Sequence, residues 1–163
     1  MSEKFLHGPE VVEIDSGPRP IQTVRSSIIG IVGTAPDSAP ATAATLTTGN
    51  ATFDTAITFT AVGAGLAGNN ISIAFTNPDS VSASLSVSVT GTAIVVSLAT
   101  DATGALASTA SDVVTAVNGS AEAAALVTAA NVEGSDGSGA VLALKRTFLS
   151  GGAAEPFALN VPS

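Results

Sequence analysis

The sequence contains no cysteine, no tryptophan and no tyrosine. The absence of cysteine rules out disulfides, thiolate metal sites and cysteine nucleophiles. With only six phenylalanines as aromatics, there is no platform on which sugars or bases would stack. Positive charge is also scarce. Lys4, Arg19, Arg25, Lys145 and Arg146 stand against thirteen acidic residues, for a net charge of −8. Nothing basic lies between Arg25 and Lys145. Nucleic-acid binding needs clustered cations that release counterions from phosphates. Adhesion to an anionic membrane needs them too, so neither partner is expected. No apolar run approaches the roughly 20 residues of a membrane span. The opening "MSEKFLHGPE" lacks the layout of a signal peptide. These absences describe a soluble protein made in a cytoplasm.

What the sequence does have is apolar material and small polar residues. Apolar residues make up 45% of the 163, enough for a packed core, whereas charged residues are only 11%. Ser, Thr and Asn must therefore supply most of the polar surface. The length allows one ordinary domain with an extension, or two small units.

Four segments follow from the patterning. Residues 1–40 form an extended arm and strand. Val12 and Ile14 alternate there with Glu13 and Asp15, and Pro9, Pro18 and Pro20 break the run. Proline cannot donate to a ladder, which suits edge or arm material. Val24 through Gly33 reads as a strand, its Ile28, Ile29, Ile31 and Val32 too continuous for a half-exposed face. Residues 41–50, rich in Ala and Thr, read as a linker by composition. Residues 51–152 form the body. "TAITFTAV" and "NISIAFT" alternate as strands around the glycine turn "GAGLAGNN". In "SLSVSVTGTAIVVSL", Leu85, Val87 and Val89, then Ile94, Val96 and Leu98, alternate with other residues on either side of Thr90-Gly91, which predicts a hairpin. Val113, Val114 and Val117 change to a helical period. Thr109 with Asp112 resembles a capping box, and Asn118-Gly119 a stop. Ser120 with Glu122 predicts a second short helix, and Val132 and "AVLALKRTF" the last strands. Residues 153–163 form an extended tail. The fold class expected is α+β and β-rich: a small, mostly antiparallel sheet with one or two helices on a face.

Candidate chemistry is thin. "SSIIGIVGTAPD" (residues 26–37) carries Gly30 and Gly33, but a phosphate loop needs a following Lys and Ser/Thr, and a dinucleotide fingerprint needs a third glycine and a helix. Here Thr34, Ala35 and Pro36 follow. His7 has no second histidine to work with. Glu10, Glu13 and Asp15 read as solvated charge on an edge, where charge blocks unwanted pairing. "EGSDGSG", with Glu133 and Asp136, is half of a calcium loop without the alternating Asp/Asn that coordination requires. Asp101 reads as a turn residue. No catalytic constellation, cofactor site or metal site is expected, and no enzymatic activity.

The segment "FLHGPEVVEIDSGPRPIQTVRSSIIGIVGTAPD" resembles the N-terminal part of contractile-tail sheath proteins of bacteriophages. The resemblance rests on His7-Gly8, the Val11-Val12-Glu13-Ile14 strand, Gly17-Pro18-Arg19-Pro20-Ile21, and the strand ending Gly30 to Pro36. Pro9 after Gly8 departs from the family pattern. The body is similar to a module inserted in some sheath and other phage tail proteins, and "EPFALNVPS" resembles the point where a sheath chain resumes. The resemblance implies a structural virion protein of a contractile tail, located in the phage tail or neck and assembled in the host cytoplasm. It implies inter-subunit strand addition through Val11, Val12, Glu13, Ile14, Val24, Ile28, Ile29, Ile31 and Val32, with turns at Gly8, Pro9, Gly17, Pro18 and Pro20. Main-chain pairing is the physical means by which such an extended segment docks. The sheath family continues into large core domains where this sequence ends, so a short form is expected: a neck or collar ring. Its partners would be identical subunits and sheath, tail-terminator or neck/connector proteins. The alternatives are the N-terminal part of a split sheath, or a surface-decoration or host-adhesion module.

Overall fold

The computed structural model describes residues 39–155. The arm positions, from Gly8 through Val32, lie outside the described residues, as does the tail from Pro156. Residues 39–155 build two β-sheets with two helices. The elements are β1 (Ala43–Thr48), β2 (Ile57–Ala64), β3 (Ser72–Thr76), β4 (Ser86–Thr90), β5 (Ala93–Ser97), α1 (Ala110–Gly119), α2 (Ala121–Ala124), β6 (Val127–Asn131) and β7 (Leu144–Phe148). One sheet has the order β1-β2-β6 and the other β4-β5-β3-β7. All pairings are antiparallel except β3 with β5. The β-rich, mostly antiparallel fold is as the periodicity predicts, but the strands divide between two sheets rather than one. β3 is the most buried strand. Ser72, Ile73, Ala74 and Phe75 are all buried, because the strand lies between β5 and β7 in the interior of its sheet.

The body does not begin at residue 51. Residues 43–48, a linker by composition, are strand β1, paired with β2 from Thr45↔Thr60 to Thr48↔Ile57. Ala44 and Thr48 are buried while Thr45 and Thr47 are exposed, a two-residue period that β-branched threonines support. The smallness of Ala44 is a packing requirement. A Cβ built on Gly68 would lie 3.0 Å from the Ala44 Cβ, and one on Gly152 3.1 Å from it.

The two sheets share one core. Ile57, Phe59, Ile73, Ile94, Val96, Leu98, Val113, Val117, Val127 and Leu149 are almost fully inaccessible. The rings of Phe59 on β2 and Phe75 on β3 meet at 6.2 Å, tilted by 58°. Burying each of these large side chains contributes on the order of 2 kcal/mol. α1 buries Ala110, Val113 and Val117, the three- and four-residue spacing of one helical face. Its first turn is closed by the predicted capping box. The Asp112 N–H donates to Thr109 Oγ1 (3.2 Å) and the Thr109 N–H to Asp112 Oδ2 (2.9 Å). Ser120 ends α1 and caps α2 through Ala123 N–H. The β4–β5 hairpin turns through Gly91 and Thr92, with Thr90 opposite Ala93. Gly91 has φ +60° at the first central position, the conformation a tight hairpin asks of glycine there.

Two features finish the sheets. The outer side of β1 is covered by the segment after β7. Thr45 and Ser150 exchange both backbone bonds (2.8 and 2.9 Å), and Thr42 and Ala153 do the same (3.0 and 3.2 Å). The chain thus comes in and leaves side by side at one end of the unit. The outer side of β6 is covered by one side chain. Asn118 Nδ2 donates to the Ala129 carbonyl (2.8 Å) and its Oδ1 accepts the Ala129 N–H (2.9 Å), as a neighbouring strand would.

Candidate functional site

An apolar groove of about 520 Å³ opens at the Thr48 end of β1. It is lined by Thr48, Gly49, Asn50, Phe53, Thr55, Phe75 and the run Ala140, Val141, Leu142, Ala143 and Leu144. No charged side chain lines it. The turn after β1 shapes one wall. Asn50 Oδ1 accepts the Thr52 N–H (2.8 Å), and Thr55 Oγ1 accepts the Asn50 N–H (2.9 Å). These bonds fix a short 3₁₀ turn over Ala51–Phe53, closed by Asp54 in the left-handed region at φ +55°. Phe53 is held at the rim with 71% of its surface exposed. The opposite wall is fixed by backbone bonds. Gly139 N–H donates to the Asp54 carbonyl (3.0 Å) and Val141 N–H to the Ser108 carbonyl (2.9 Å). Val141 is buried, and Leu142 beside it is 76% exposed. The Thr48 and Thr55 hydroxyls donate to the Ile57 and Asn50 carbonyls. The groove can therefore bury an apolar group.

The groove continues into an open sheet edge. Leu144 lines the groove and also starts β7. β7 pairs only with β3 among the described strands. Its exposed side chains are Lys145, Arg146 and Phe148, and the first two are the only cations after Arg25. Neither forms an ion pair among the described residues. The other open edge, β4, exposes Ser86, Ser88 and Thr90 and carries no charge.

The predicted site residues divide by location. All the arm positions named for strand pairing and turns, with His7, Glu10, Asp15, Gly30 and Gly33, lie outside the described residues. Asp101 is the turn residue expected. Its Oδ1 accepts from the Thr103 N–H (2.7 Å), the Thr103 hydroxyl (2.7 Å) and the Ala105 N–H (3.0 Å). Those bonds, the Thr103 hydroxyl first, hold its carboxyl below the ordinary 3.8. Asp136 turns back on Ser138, whose N–H it binds at 2.8 Å, and the Ser138 bonds lower its pKa likewise. Among the described residues no three acidic or histidine side chains gather as a metal site would require. Phe53 and Leu142, which rim the groove, carry no signal in the sequence that marks them as exposed: Phe53 stands between Thr52 and Asp54, and Leu142 lies inside the apolar run Ala140 to Leu144. No helix among the described residues is long and apolar enough to cross a membrane.

Comparison with known proteins gives a short similarity. Over 36 residues the chain is 47% identical to the tail sheath protein of Burkholderia phage BcepMu. The match covers 22% of this chain and 8% of that protein. No family model matches the chain, and no solved structure does. The similarity points to a phage tail-sheath relation over a short stretch, and to a structural role at the coarsest level.

Proposed function

We propose that the chain is a structural virion protein of a contractile phage tail, related to the sheath, that forms a neck or collar ring by adding strands between subunits. The observation that carries this reading is the 47% identity to a tail sheath protein over 36 residues. Two further observations support it. The incoming and outgoing backbones are paired at Thr42 and Ala153, so the described unit can project from a larger frame as an inserted domain does. β4 and β7 are the outer strands of their sheet, β7 with a register irregularity at Lys145 and Arg146, and an outer strand is where an extended segment docks. Identical contacts around a ring would multiply a net gain of only about 1 kcal/mol per hydrogen bond. In this reading Val11, Val12, Glu13, Ile14 and the strand of Val24, Ile28, Ile29, Ile31 and Val32 make the inter-subunit pairs.

The test is removal of residues 1–20 in the phage that encodes the chain. Loss of the protein from purified particles, with the truncated chain still soluble, is the expected result. Incorporation at the wild-type level would overturn the reading. One observation favours a second reading, a surface-decoration or adhesion module. The groove with exposed Phe53 and Leu142 lies at the other end of β1 from the Thr42–Ala153 pair, roughly 20 Å away at about 3.3 Å per residue. Under that reading the truncated chain still decorates particles, and Phe53→Ser with Leu142→Ser removes binding.

A further inference from the structure

Asn118 covers the outer side of β6 through its two bonds to Ala129. It is also followed by Gly119, and the sequence holds no other Asn-Gly step. That step carries chemistry of its own. Glycine has no side chain to hinder its backbone nitrogen, so this nitrogen can attack the neighbouring side-chain amide. The nitrogen gives up its proton and bonds to Asn118 Cγ. The Cγ–Nδ2 bond breaks, and ammonia leaves with that proton. Water then opens the five-membered imide at either carbonyl, leaving aspartate or isoaspartate at 118. Water is the only co-reactant. The folded chain opposes this step twice. Both polar atoms of the Asn118 amide are tied to Ala129. Gly119 is the last residue of α1, and a helical N–H points back along the axis, away from a side chain that reaches across to β6. One event releases both: separation of the last turn of α1 from β6. That turn is weakly held beyond Asn118. Gly119 is exposed, and a Cβ built on it meets nothing within 4 Å. The turn carries no basic side chain to offset its carbonyls.

We propose that Asn118-Gly119 is a self-modification site, where deamidation is held off by the α1–β6 contact and, once it occurs, uncovers the outer edge of β6. The change is one-way. A carboxylate at 118 accepts the Ala129 N–H but cannot donate to the Ala129 carbonyl, which loses its partner. The new negative charge sits at the C-terminal end of α1, the negative end of the helix dipole, in a chain already at −8. Isoaspartate also adds a backbone carbon two residues before Ser120, which ends α1 and caps α2. β6 itself, Val127–Asn131, carries no charge and no proline to discourage pairing, which leaves that task to Asn118.

The gating gives a quantitative test. Full-length protein is incubated at mildly alkaline pH, both folded and in urea. Peptides spanning residue 118 are followed by mass spectrometry for the small mass gain that marks exchange of the amide for a carboxyl. Amide exchange at Ala129 is measured by NMR on the folded sample. The Ala129 N–H is bonded to Asn118, so exchange there and deamidation wait on the same local opening. Deamidation should be at least about tenfold slower in the folded chain than in urea. It should be slowed by the same factor as exchange at Ala129, within about threefold. Gly119→Ala fits the open space and keeps the Asn118 side chain. It should slow the reaction in urea as well, which identifies the Gly119 nitrogen as the attacking group. Modified chain, separated by ion exchange, should exchange faster at Ala129 while the amides of β2 stay protected. Equal rates folded and in urea, deamidation slower than exchange at Ala129 allows, or a rate in urea unmoved by Gly119→Ala overturns the proposal. So does modified chain that keeps its protection at Ala129, or that loses protection across β2 as well.

Discussion

Thr109 and Asp112 close the first turn of α1 by exchanging two hydrogen bonds. The bonds from the Thr109 backbone and hydroxyl favour the ionised carboxylate, so the Asp112 pKa is lowered from 3.8. A pKa lower in the folded than in the unfolded chain adds stability above the unfolded value, and that stability is lost as pH falls through the folded one. Thermal unfolding should therefore show stability level above about pH 4 and falling below pH 3.8, with Asp101 and Asp136 acting in the same direction. Asp112→Asn should flatten part of that acid limb; an unchanged limb would contradict the assignment. Thr109→Ala should cost about 1 kcal/mol at neutral pH, the usual worth of such a cap, measured by denaturant unfolding. Gly49→Ala should cost more, at least about 2 kcal/mol. Gly49 has φ +74° and a Cβ there would strike the Thr55 carbonyl oxygen. The capping box and the Asp101 turn are legible in the sequence because both are local, set by side chains a few residues apart. The groove rim is not. Phe53 and Leu142 are large apolar residues whose exposure depends on where distant backbone bonds, such as Gly139 to Asp54, place them.

β1 illustrates the same point at the scale of elements. Its Ala- and Thr-rich sequence has the composition of a linker, and only its long-range pairing with β2 and Ser150 makes it a strand. The strands with strong alternation, β2, β4 and β5, and the helix α1 with its period of three and four, are legible because their patterns are internal. The division into two sheets is not, since it depends on which edges meet. The consequence is testable with fragments. A polypeptide of residues 39–155 should fold, giving a cooperative melt and dispersed amide resonances. A polypeptide of residues 51–152, the boundaries that composition alone suggests, lacks β1 and should not; equal cooperativity in the two would show β1 to be dispensable. Asn118→Ala removes both bonds to Ala129. It should destabilise by about 1–3 kcal/mol, the cost of leaving buried backbone groups unpaired. Hydrogen exchange at the Ala129 amide should rise with it, and unchanged protection there would mean another group covers the edge.

For the whole molecule, the physical picture is of a charge-poor β-rich unit whose backbone comes in and leaves as a pair, with a neutral groove at one end and a basic open strand beside it. The features it presents to other molecules are edges, an apolar recess and two cations, which suit assembly. The 47% identity to a tail sheath protein over 36 residues gives that assembly its proposed setting, and in that proposal residues 1–40 are the connector. The central claim is that the chain joins a particle through strand addition by its N-terminal segment. The most direct measurement is the amount of this protein in purified phage particles when residues 1–20 are deleted, read beside the full-length chain. The claim predicts that the truncated chain is absent from particles while remaining soluble and folded over residues 39–155. Truncated chain present in particles at the full-length level would contradict it.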